Sequence, residues 1–122
     1  MIYLISPYND TNPYIRYNRF RLAARVCGHM AECGLNIYSP IVHWHSVVDT
    51  FPELNLGTDY KFWQRSNMEM MLLSTKAIVM TIEGWRDSLG VRDDIANAIA
   101  FSKPVFYLTY AQCLHYGEKE KA

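Results

Sequence analysis

The stretch Ala77-Ile78-Val79-Met80-Thr81-Ile82 runs without a break into Glu83-Gly84-Trp85-Arg86-Asp87-Ser88-Leu89-Gly90-Val91-Arg92-Asp93-Asp94. Its first six residues form a continuous apolar run of the kind found in central parallel strands, which are covered on both faces. The polar cluster between Gly84 and Gly90 reads as a loop, and from about Val91 to Ser102 the residues Ile95, Ala98 and Ile99 share one helical face. A buried strand that passes through a polar loop into a helix is the unit from which open α/β sheets are built.

The same unit recurs on the N-terminal side. Ile2-Tyr3-Leu4-Ile5 is a short strand that stops at the turn-rich Ser6-Pro7-Tyr8-Asn9-Asp10, a loop continuing to Pro13. From about Tyr14, the residues Leu22, Ala23, Val26, Cys27, Met30 and Ala31 recur at helical spacing, and Gly34 is a C-terminal stop. Leu35-Asn36-Ile37-Tyr38 is a second strand, broken at Ser39-Pro40. The segment from there to about Thr58 contains Pro52 and Gly57 and no clear period, so a long functional loop or lid is expected. Asp59 can cap a second helix to about Ser74, with Phe62, Trp63, Met70, Met71 and Leu73 supplying apolar surface, and this helix is expected to be largely buried. The strand Val105 to Leu108 follows Pro104, so residues 1–110 form one α/β domain and 111–122 a weakly patterned C-terminal tail.

This order of strands and helices predicts a three-layer sandwich, flavodoxin-like or Rossmann-like. Its sheet is mostly parallel, with about four to five strands and helices on both faces. The carboxyl ends of the strands lead into Ser6 to Asn9, Ser39 to His45, Glu83 to Ser88 and Thr109 to Tyr110. Ligands bind at that edge in open α/β sheets, so these clusters are expected to form a single site.

Composition narrows the partners. With 122 residues the chain is long enough for one core and too short for two, and with half of it hydrophobic it is neither disordered nor fibrous. Lys plus Arg equals Asp plus Glu at 12 each, and Arg16, Arg19, Arg21 and Arg25 are dispersed, so no nucleic-acid polymer is expected as a partner. Cys27, Cys33 and Cys113 make an odd count without Cys-x-x-Cys spacing, which predicts neither a disulfide framework nor a thiolate metal site and fits a reducing cytoplasm. The N-terminus has no basic segment before a long apolar stretch, so no signal peptide and no membrane span are expected.

The usual phosphate cradles, Gly-x-Gly-x-x-Gly and Gly-x-x-x-x-Gly-Lys-Ser, are missing, as is the Gly-x-Ser-x-Gly elbow of esterases. A site built from loop side chains is left. In an extended segment His43 and His45 would face one side and could share a metal, but no third ligand sits at a recognisable spacing. Loop histidines that hydrogen-bond to substrate or neighbours are the simpler reading. Tyr3, Tyr8, Trp44, Trp63 and Trp85 lie near the expected edge, where a planar ring or sugar could stack or the side chains could simply pack. Asp93 and Asp94 in a first helical turn would complement the macrodipole. Asp94, held ionised by nearby backbone N–H groups at a ligand edge, could instead attack an anomeric carbon. Gly90 would allow close backbone approach, and Ser88 would cap the helix or bind an anion.

Tyr3-Leu4-Ile5-Ser6-Pro7-Tyr8, then Ser39-Pro40-Ile41-Val42-His43-Trp44-His45, then Gly84 to Val91 with an acid at Asp94, resemble the nucleoside 2-deoxyribosyltransferase-like superfamily, in particular its small single-domain branch. The resemblance runs from residue 3 to about 108. It implies cleavage or transfer at the N-glycosidic bond of a deoxynucleoside or its 5′-monophosphate through a covalent glycosyl intermediate. The family nucleophile, usually Glu, matches Asp94, and Asn67 stands where the family has an Asp that contacts the sugar or handles the leaving base. Tyr3, Ser6 and Tyr8 match the sugar-pocket loop, the Ser88 to Val91 run is similar to the monophosphate-cleaving branch, and Arg16 or Arg19 would supply charge. The expected catalytic pair is thus Asp94 and Asn67. The expected substrate contacts are Tyr3, Ser6, Pro7, Tyr8, His43, His45, Trp63, Trp85, Asp87, Ser88 and Gly90. No metal or organic cofactor is called for, and the resemblance implies a homo-oligomer. The competing readings are a non-catalytic nucleotide-binding or sensing protein that keeps the pocket, and an assembly domain built on Met68, Met70 and Met71.

Overall fold

In the computed structural model, which describes residues 1–121, four strands alternate with five α-helices. The order is β1 (Ile2–Ile5), α1 (Pro13–Glu32), β2 (Ile37–Tyr38), α2 (Pro40–Thr50), α3 (Tyr60–Leu72), β3 (Lys76–Met80), α4 (Leu89–Ala100), β4 (Val105–Leu108) and α5 (Tyr110–Lys121). The strands form one all-parallel sheet in the order β2-β1-β3-β4, with Leu4 opposite Ile78 and Val79 opposite Tyr107. This is an α/β three-layer sandwich of the flavodoxin-like or Rossmann-like kind. The chain steps from β1 to β2 on one side and to β3 on the other, so the strand order reverses beside β1, where such sheets open a crevice.

The period-2 pleat distributes the apolar runs to two layers. Ile2, Leu4, Ile78 and Met80 pack with Ala23, Val26 and Met30 of α1 and Cys113 of α5. Tyr3, Ile5, Ala77 and Val79 face the other way, onto Met71 of α3 and Val91 and Ala98 of α4. Both faces of β1 and β3 are therefore dry, which is why their sequences read as apolar runs and not as alternations.

Side-chain caps set the helix starts. Asn12, Ser39, Asp59 and Ser88 accept hydrogen bonds from the backbone N–H groups of Tyr14, Val42, Phe62 and Val91 respectively, and Pro13 and Pro40 occupy first-turn positions. The expected Asp59 cap is thus present. Ser39-Pro40, expected to break a strand into a long loop, is instead a cap followed by a helix-initiating proline, and α2 fills much of that segment. Only Phe51 to Asp59 is irregular, as two short 3-10 turns, Pro52–Leu54 and Leu56–Thr58, joined by Asn55 in the left-handed region.

Three further expectations change. Helix α3 is not largely buried: Asn67 and Met71 are enclosed, while Met68, Leu72 and Leu73 are exposed, because only one side of the helix meets the sheet and α4. Beyond residue 110 the expected tail is helix α5, laid along α1 closely enough that a Cβ on Gly117 would stand 3.4 Å from the Met30 Cα. Helix α4 begins at Leu89 and not near Val91, so neither Asp93 nor Asp94 is in its first turn. Among the described residues, no helix is long and apolar enough to cross a membrane.

Candidate functional site

The crevice beside β1 is a cavity of about 330 Å³, within the range of small-molecule sites. Its walls come from distant parts of the chain. Ser6 and Tyr8 follow β1, Pro40 and Ile41 open α2, and Gly57 and Thr58 belong to the second 3-10 turn. Trp63, Gln64 and Asn67 come from α3, and the stretch from Asp87 to Gly90, with Asp93, Asp94 and Asn97, comes from the start of α4.

Asp94 lies at the buried end of this cavity, 5% exposed. Its Oδ2 accepts from the Tyr3 hydroxyl at 3.1 Å and its Oδ1 from the Asn67 side-chain N–H at 3.4 Å. Burial pushes the carboxyl up to about 7; the Tyr3 and Asn67 hydrogen bonds oppose that rise, and the neighbouring Asp93 charge adds to it. This corrects the expectation of a carboxylate kept ionised by helix N-terminal N–H groups. Asp94 is in the second turn, its partners are side chains, and at neutral pH its protonated and ionised forms are both populated. Tyr3 is fully buried in the core, so it supports Asp94 from beneath and does not line the cavity. Its hydroxyl is held well above the usual range by burial and then by the Asp94 charge.

Two polar atoms at the site have no partner among the described residues. They are the Ser6 Oγ and the Asn67 Oδ1, on side chains that are each more than nine-tenths buried. Buried polar groups are ordinarily satisfied, so these two are hydrogen-bonding capacity left for something that enters the cavity.

The remaining candidates separate by distance from the cavity. Tyr8, Trp63, Asp87, Ser88 and Gly90 line it together with Ser6, Asn67 and Asp94. The Ser88 Oγ is occupied, accepting from Val91 N–H, so its capping role holds. The Trp63 indole N–H donates to the Leu56 carbonyl at 2.8 Å and ties the 3-10 turns to α3. Pro7 is buried behind the wall. His43 and His45 are on helix α2 and not on an extended segment, so two residues of helical advance turn them apart and they cannot share a ligand. His43 is exposed beside Tyr38 and Trp44. His45 is buried, stacked on Phe20 at 4.0 Å, with Nδ1 at 2.7 Å from the Tyr8 hydroxyl, and burial lowers its pKa. It therefore fixes a cavity-lining tyrosine without reaching the cavity. Trp85 sits in a separate shallow depression, packed on Tyr107 and under Arg86. Arg16 and Arg19 point their guanidinium groups at loop carbonyls of Tyr8, Asn9, Asp10 and Glu83 and do not line the cavity. Among the described residues, no group of three or more His, Cys, Asp or Glu side chains could hold a metal.

The reading from sequence missed Tyr60, Gln64, Asp93 and Asn97. Tyr60 donates to Asp93, and Gln64 donates to the Tyr60 hydroxyl at 3.3 Å, closing the rim between α3 and α4. A signal was available: Tyr60, Gln64 and Asn67 stand at i, i+4 and i+7, and Gly90, Asp93, Asp94 and Asn97 at i, i+3, i+4 and i+7. Each set is one polar helix face, and in the fold the two faces meet across the cavity.

The model of a family described as "Domain of unknown function (DUF1937)" matches residues 1–110, a span that contains every residue of the site. No curated protein matches the chain.

Proposed function

The chain belongs to the DUF1937 family, and we propose that it binds a deoxynucleoside or a closely related nucleotide and cleaves or transfers its N-glycosidic bond. One observation carries this reading: a single carboxylate, Asp94, is enclosed at the end of a cavity of ligand size and held from two sides by Tyr3 and Asn67. A desolvated carboxylate is a stronger nucleophile than a hydrated one, and its orientation is already set. In the ionised form it would attack C1′ as the C–N bond breaks, the base leaving with the bonding pair and taking a proton from solvent. Water, or a second base, then displaces the ester at C1′ with net retention and returns the carboxylate. Trp63 and Tyr8 offer aromatic surface for a base or sugar. The resemblance to the nucleoside 2-deoxyribosyltransferase-like superfamily supports the same chemistry, as does the placing of its motif positions Ser6, Tyr8, Asn67 and Asp94 on one cavity.

Asn67 favours a second reading. An amide cannot exchange a proton at neutral pH, so a pocket that binds a nucleotide without cleaving it is also served by this pair. Incubation with deoxynucleosides and their monophosphates, followed by chromatography for free base, separates the two. Release that is lost in Asp94→Ala and kept or increased in Asp94→Glu is the expected result. Wild-type turnover in Asp94→Ala would remove the nucleophile assignment. No release, together with a ligand-dependent rise in Tm, would favour binding alone. The proposal extends to a homo-oligomer, supported by the exposed Met68, Leu72 and Leu73, and to a reducing, cytoplasmic setting, supported by three free cysteines.

A further inference from the structure

We infer that the cavity selects an uncharged nucleoside and discriminates against its 5′-monophosphate; the inference rests on the glycosidic reading above and narrows its substrate. Three carboxyl groups, those of Asp87, Asp93 and Asp94, line the cavity, and no Lys, Arg or His does so among the described residues. Arg86, next to Asp87 in the chain, lies over the Trp85 ring in the separate depression, and the two arginines that hold the loops after β1 and β3 are engaged there. Arg16 donates to the Asp10 carbonyl at 2.6 Å, and Arg19 spans the Asn9 carbonyl at 2.9 Å and the Glu83 carbonyl at 3.3 Å, so both guanidinium groups hold loops together outside the cavity wall.

The start of α4 offers backbone N–H groups, the usual substitute for basic side chains in anion binding. Here one of those groups is taken and two carboxyl groups flank the rest. The Ser88 Oγ takes the Val91 N–H, Asp87 stands immediately before the helix, and Asp93 stands one turn inside it. A phosphate brought there would carry about two negative charges to a wall already lined by the carboxyl groups of Asp87, Asp93 and Asp94, and like charges repel.

The orphan atoms point the same way independently. The Asn67 Oδ1 can only accept, the Ser6 Oγ is without a partner, and both belong to side chains more than nine-tenths buried on the cavity. The Ser6 hydroxyl can accept or donate, so the acceptor character comes from the Asn67 Oδ1 and the carboxyl groups of Asp87, Asp93 and Asp94. The complement of such a surface is a ligand that presents O–H and N–H donors, as sugar hydroxyls and base amino groups do, and not one that presents phosphate oxygens.

The test compares a deoxynucleoside with its own 5′-monophosphate by isothermal titration against the full-length protein, with inorganic phosphate as a third arm. The nucleoside is expected to bind about tenfold or more tightly than the monophosphate, and phosphate alone is expected to leave Tm unchanged. The exposed Asp87→Asn change should narrow the gap by improving the monophosphate. A monophosphate that binds as well as or better than the nucleoside overturns the inference while leaving the glycosidic reading standing, and so does a rise in Tm with phosphate alone. If neither nucleoside nor monophosphate binds, the glycosidic reading fails and its substrate assignment falls with it.

Discussion

Asp94 is 5% exposed, with only the Tyr3 hydroxyl and the Asn67 amide, among the described residues, to replace the water its carboxyl gives up on folding. Its carboxyl is raised from an ordinary 3.8 to about 7, with burial as the largest cause. Between those two values the unfolded chain has released its proton while the folded chain retains it, so the unfolded state binds fewer protons and stability falls as pH rises. The loss is on the order of 4 kcal/mol, nearly complete by pH 7 and absent below pH 4. Asn at this position has the same shape and no charge to desolvate. Asp94→Asn is therefore expected to be more stable than the wild type at neutral pH and to lose the fall in stability that Asp94 imposes between pH 4 and 7, measured by urea unfolding across that range. A wild-type curve that is itself flat there would mean that the carboxyl is not perturbed. The same titration fixes the pH dependence of the proposed chemistry: the nucleophile is the ionised form, so turnover should climb as pH rises through about 7.

At the scale of elements, the site is made by how three helices begin and which faces they present. Ser39 caps α2 by accepting from Val42 N–H at 3.2 Å, and the first residues of that helix, Pro40 and Ile41, are cavity wall. Removing the hydroxyl with Ser39→Ala leaves that half-buried N–H without its cap and should cost about 1 kcal/mol, read as a lower urea midpoint with an unchanged slope. An unchanged midpoint would show that the proline alone starts the helix. The caps were legible as residue types, and two of them, Asp59 and Ser88, were read correctly. Ser39-Pro40 was open to two readings, because Ser-Pro both ends a strand and begins a helix, and the weak apolar period of the next ten residues did not separate them.

At the scale of the molecule, α5 is a structural member of the sandwich. Cys113 is fully buried against the same sheet face as Ala23, Val26 and Met30, and Gly117 lets α5 approach Met30 closely. Deleting residues 110–122 should uncover that face, with loss of a cooperative thermal transition and binding of a dye for exposed apolar surface. A truncated chain that melts as the full one does would show the helix to be dispensable.

The sequence by itself determined the parallel α/β sandwich, its strands, and the edge on which a site would form. Those features follow from apolar runs and helical periods, which are properties of neighbours along the chain. It also held the two polar helix faces as spacings. What only the tertiary structure decided is that these faces meet, that Tyr3 reaches Asp94 across 91 positions of sequence while Asn67 reaches it across 27, and that among the described residues no Lys, Arg or His lines the cavity with them. Burial, an orphaned acceptor and a raised carboxyl pKa depend on what surrounds an atom in space, and for Asp94 and Asn67 those surroundings are drawn from α3, α4 and the strand beneath them.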